Sequence, residues 1–114
     1  MKVKLLLAAS AAVFFMQTPW SAQAFECPKH FAAAQAAIDK VAADMQADIP
    51  WQEPLDKELV LTLLDDARML LGGATHNHDN PTSGYSHARA IAQSDSALGY
   101  ANAADLFHRE LLSK

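Results

Sequence analysis

Apolar residues recur at steps of three and four from Phe31 through Ala34, Ile38, Val41 and Met45 to Ile49, which predicts an amphipathic helix over about 29–49. Gln35, Asp39, Lys40, Asp44 and Asp48 fall on its opposite, solvated side. Pro28 suits the first turn, where a missing N–H costs nothing, and Pro50 and Pro54 stop the helix. A second helix is expected over about 54–74, with two adjacent apolar stripes. Leu55, Leu59, Leu63, Leu70 and Ala74 form one, and Val60, Leu64, Ala67 and Leu71 the other. So wide an arc predicts a helix packed between two neighbours. Asp65, Asp66 and Arg68 form its polar edge.

Gly72-Gly73 is expected to end this helix, because glycine weakens helices and tolerates left-handed backbone. The run from Thr75 to Gly84 is dense in turn residues and reads as a loop. A third, alanine-rich helix over about 85–112 carries Ile91, Leu98, Ala101, Phe107 and Leu111, with Tyr85 and Tyr100 expected to pack between helices. No segment shows strand periodicity. The fold class is therefore all-α: an antiparallel three-helix bundle or extended helical hairpin. Trp51, between two prolines, is expected to plug one end of its core.

The N-terminus changes this picture. Lys2 and Lys4 precede an apolar run from Leu5 to Met16, too short to span a bilayer, and Ala22-Gln23-Ala24 offers a small-x-small cleavage pattern. Residues 1–24 thus read as a signal peptide and 25–114 as one helical domain, secreted or periplasmic. Phe25 and Glu26 are poor occupants of a lipoprotein cleavage site, so lipid attachment at Cys27 is not expected. Removing Lys2 and Lys4 takes the net charge from −4 to −6. An acidic chain without a basic run argues against nucleic acid and against a stable membrane anchor.

Short connections force consecutive helices to run antiparallel, which gathers the start of helix 1, the end of helix 2 and the start of helix 3 at one pole. Cys27, His30, His76, His78, Asp79 and His87 lie there, with His108 near the other pole. Imidazoles suit copper, nickel and zinc, and a thiolate adds preference for Cu(I) or Zn(II). The candidate metal ligands are therefore His76, His78, His87, His30 and Cys27, with the two rings of the His76-x-His78 step expected to share one ion from a flexible loop. Each histidine also has a plainer reading as a surface residue or a partner of the helix C-terminal dipole.

Cys27 is the only cysteine, so it can join no internal disulfide, and a disulfide to another chain is its first alternative role. A place beside Pro28 at a helix N-terminus predicts a lowered thiol pKa. No CxxCH haem motif, phosphate loop, nucleophile elbow or carboxylate pair is present, and enzymatic activity is not expected.

Cys27-Pro28, Ala67-Arg68-Met69-Leu70-Leu71, His78 and His87-Ala88 resemble a group of small secreted proteobacterial helical-hairpin proteins. These carry a Cys-Pro pair just after the signal peptide and histidines flanking the hairpin turn. The resemblance implies a helical fold and no established activity. A looser similarity to periplasmic metal-binding bundles stops at the histidines, which in those proteins recur along every helix. Two functions stand at this point: a small periplasmic metal-binding protein, copper ahead of nickel or zinc, and a non-enzymatic structural or interaction module tethered to a protein partner through Cys27.

Overall fold

The computed structural model describes residues 20–47, 51 and 54–113. Three helices fill nearly all of them: α1 Trp20–Gln46, α2 Pro54–Asp79 and α3 Gly84–Leu112. No strand occurs among the described residues, and the all-α bundle expected from periodicity is what forms. Residues 1–19, which hold most of the expected signal peptide, lie outside the described residues, as does Ile49. None of the described helices is long and apolar enough to cross a membrane.

The face expected for α1 is the face buried. Ala34, Ile38 and Val41 are almost wholly covered, and Phe31 and Met45 pack against them. The helix begins earlier than expected, at Trp20, so Pro28 stands well inside it rather than in its first turn. With no N–H to donate, Pro28 leaves the Ala24 carbonyl without its usual intrahelical partner.

The expected order of packing is corrected by α3. Its buried residues are Ser86, Ala90, Ser94, Ala97, Ala101, Ala104 and His108, at steps of four, four, three, four, three and four. That is a straight seam of small side chains, and small side chains let two helices approach the same backbone. α3 makes the broadest contact with α2 and the next broadest with α1, while α1 and α2 touch least. The central helix is thus α3, not α2. Of the two α2 stripes, Val60, Leu64, Ala67 and Leu71 are buried, and the other divides: Ala74 is buried and Leu63 and Leu70 pack partly against the core, whereas Leu55 and Leu59 are 68% and 45% exposed. Tyr85 and Tyr100 also face solvent, against expectation, because neither falls on the seam.

The second correction is the length of α2, which runs through Gly72-Gly73 and on to Asp79. Neither glycine adopts a left-handed φ. A Cβ at Gly73 would lie 3.0 Å from Gln93 Nε2, so this glycine admits the Gln93 side chain of α3. Asn77 Nδ2 donates to Gln93 Oε1 at 2.6 Å and back to Gly73 O at 2.9 Å, and Thr75 Oγ1 donates to Leu71 O. Turn-forming side chains here bond to the helix backbone and to its neighbour instead of breaking the helix. After α2 the chain turns at 80–83, where Asn80 N donates to His76 O and Pro81 prevents continuation.

Gly72 has nothing within 4 Å of a built Cβ. Gly72→Ala should therefore stabilise the protein by about 0.5–1 kcal/mol, the ordinary helix-interior gain over glycine. Gly73→Ala should gain less or lose, because Gln93 must shift. Thermal unfolding of both variants by circular dichroism tests this, and destabilisation by Gly72→Ala would restore the loop reading.

At the pole opposite the α2–α3 turn, Trp51 packs on the core with its ring 5.2 Å from that of His108, as a plug would. Along the α1–α3 contact, Lys40 bridges Asp44 and Asp105, each at 2.7 Å.

Candidate metal centre

The extension of α2 decides which histidines meet. His76 and His78 are two residues apart on a continuous helix, so their side chains diverge by about 200° around its axis. His76 projects into solvent, and His78 turns inward against α1 and α3. The expected pairing of the two on one ion from a flexible loop is thereby corrected.

His78 meets Cys27 of α1 and His87 of α3. One ligand atom from each of the three, the thiol sulphur and a ring nitrogen apiece, all lie within 4.8 Å of one another. Every helix of the bundle supplies one. The two rings sit 5.3 Å apart at 70°, and Phe31 meets the His78 ring edge-on at 5.4 Å and 86°. Cys27 is fully buried in a small apolar cluster with Ala74 and Ala90, against which Phe31 and Ile91 pack.

His78 Nδ1 and His87 Nδ1 are both buried without a protein hydrogen-bond partner, as is His108 Nε2 at the far pole, but only the first two stand beside a thiol. Leaving a buried polar atom unsatisfied costs about 1–3 kcal/mol, so two such atoms beside a thiol call for an explanation. A metal ion supplies one, since an unprotonated ring nitrogen is a ligand as well as an acceptor. Around a tetrahedral ion, sulphur and nitrogen ligands stand about 3.3–3.6 Å apart. Closing from distances of no more than 4.8 Å takes at most roughly 1–1.5 Å of side-chain movement. His78 also occupies the last turn of α2, where the helix's partial negative charge favours a cation.

The thiol departs from expectation. Because α1 starts at Trp20, Cys27 lies in the helix interior, away from the N-terminal N–H groups that lower a thiol pKa. Burial pushes its pKa above the ordinary value; a backbone hydrogen bond opposes this and the charge of Glu26 adds to it. The Sγ donates to the His87 carbonyl at 3.7 Å, which ties α1 to the start of α3.

His30 lies outside the group. Its Nδ1 bonds the carboxylate of Asp95 on α3, at the surface. Among the described residues, the thiol and two imidazoles are the whole cluster, and Asp79 is exposed. Of the five ligands expected from sequence, the structure brings together three. Phe31 was legible as a core position but not as the ring against His78, which depends on ring orientation, and Asp95 had no signal because it lies 65 residues from its partner.

No protein-family model matches the chain, and no curated protein or solved structure is significantly similar to it.

Proposed function

We propose that this is a small secreted metal-binding protein that holds one copper ion between Cys27, His78 and His87. The observation that carries the reading is the convergence of a buried thiol and two imidazoles with orphaned ring nitrogens, one from each helix. Copper ranks first on the donor set. Two imidazoles and a thiolate form the trigonal plane of copper centres, and a soft thiolate in an apolar, three-donor site suits Cu(I). A closed zinc site needs a fourth protein ligand, and nickel favours square-planar nitrogen and oxygen donors.

Export is supported by the apolar run from Leu5 to Met16 behind Lys2 and Lys4 and by the Ala22-Gln23-Ala24 cleavage pattern. The tethered interaction module ranks second, because a fully buried Cys27 must leave its cluster before it can join another chain. No catalytic role is proposed.

Anaerobic titration with Cu(I) should saturate at one ion per chain, with a thiolate-to-copper absorption rising in the near ultraviolet. Cys27→Ser should abolish that absorption, and excess Zn(II) should not displace the ion. Failure to saturate, or an unchanged spectrum in Cys27→Ser, would sink the reading.

A further inference from the structure

The metal cluster is buried in its thiol and only half-open at its rings, so an arriving ion needs a first ligand at the surface. His30 is placed to be that ligand. It follows Cys27 by three residues on α1, the spacing that sets two side chains next to each other on a helix, with Cβ atoms about 5–6 Å apart. Unlike Cys27, it is partly exposed, and it lines an open groove of about 330 Å³ with Lys29, Ala33, Asp95 and Leu98.

Its hydrogen bond fixes which nitrogen is available. A carboxylate can only accept, so Nδ1 carries the proton shared with Asp95 and the neutral ring presents its lone pair at Nε2. A carboxylate behind an imidazole fixes the tautomer, orients the ring and raises its basicity, the same arrangement that backs metal-ligating histidines generally. Here that arrangement stands one helical turn from the thiol, outside the cluster.

We propose that the Asp95-backed His30 is the entry ligand: it takes the ion from a small thiolate complex at the surface, the ion passes to Cys27, and the released donor thiolate leaves as a free thiol carrying the proton that Cys27 gives up. This rests on the metal-binding reading above. An entry ligand acts on the rate of loading and unloading alike and leaves the equilibrium untouched, since it does not hold the ion in the final state.

The test is the loading rate of the full protein, followed by stopped-flow absorption, with Cu(I) presented as its glutathione complex. His30→Gln keeps a side-chain donor for Asp95 but removes the imidazole, so it separates metal handling from the α1–α3 contact. It should load at least fivefold more slowly than wild type, with unchanged stoichiometry and affinity. Asp95→Asn should slow loading in the same sense by a smaller factor. Wild-type loading rates in His30→Gln would overturn the relay while leaving the metal site standing. A loss of affinity matching that of His78→Ala would overturn it too, by making His30 a ligand of the final site. Absence of binding in the wild-type protein would remove the underlying reading itself.

Discussion

Saturation with Cu(I) should raise the unfolding free energy of the chain by about 4 kcal/mol once the free ion stands a thousandfold above its dissociation constant, because the site exists only when all three helices are assembled. For a domain of this size that amounts to a rise in Tm of roughly 15–30 °C. His78→Ala and His87→Ala should each remove most of the increment. His76→Ala should leave it intact, since that ring faces solvent. His108→Ala is the sharper control. His108 is 2% exposed at the far pole, so its loss should lower the stability of both the metal-free and the loaded protein while preserving the difference between them. An equal increment in His78→Ala and wild type would contradict the assigned ligands.

The raised Cys27 pKa gives this linkage a direction in pH. In the metal-free protein the folded state keeps the thiol proton at pH values where the unfolded state has already lost it. Its contribution to stability is therefore full below the ordinary thiol pKa of 9.0 and is lost as pH rises through the raised folded value. Metal binding displaces that same proton. Over the neutral and mildly alkaline range, Cu(I) affinity should climb about tenfold per pH unit from this group alone. Cys27→Ser should abolish both dependences.

The second large effect is mechanical. Leu64→Ala should cost about 2–5 kcal/mol, since Leu64 is almost completely buried and shares its core with Ile38, Val41, Ala97 and Ala101. The small residues of α3 cannot expand to fill the space. A domain with about 5–15 kcal/mol in total would be left marginal, with Tm lowered by tens of degrees. Leu55→Ala on the same helix should stay within about 0.5 kcal/mol, because Leu55 is exposed. Urea unfolding of the two variants separates a core centred on the Val60–Leu64–Ala67–Leu71 stripe from one that extends to the start of the second stripe at Leu55. Comparable losses at Leu55 and Leu64 would require a packing surface over Leu55 that the described helices do not supply.

Periodicity made α1 legible because its buried residues are large and apolar while its exposed ones are charged. It found the extent of α3, expected over about 85–112, but not its buried seam, which runs from Ser86 through alanines to His108 and carries little hydrophobic contrast. Alanine reads alike on a buried face and an exposed one: Ala101 and Ala104 are covered, Ala88 and Ala92 are not. The choice of central helix was hidden for the same reason. Turn residues misled at the end of α2, where local composition is outweighed by contacts to Gln93 that no local window contains. The site was legible as a pole, through connection lengths, but not as a ligand set. Separating His78 from His76 required knowing that the helix continues past Gly73, and a one-residue phase then decides which ring faces inward.

The spread of the three donors along the chain also sets an order of events during synthesis. Cys27 precedes His87 by 60 residues. At about 5–20 residues per second the thiol is made some 3–12 s before the last imidazole exists. Through that interval neither the α3 seam nor the His87 carbonyl is there to cover it, and whatever oxidant or stray ion the nascent chain meets finds an open sulphur. The completed bundle closes over the thiol only when its third helix has arrived. Chemical attack on this residue is therefore easier on a chain whose third helix has not yet docked than on the finished bundle, in which the thiol is fully covered.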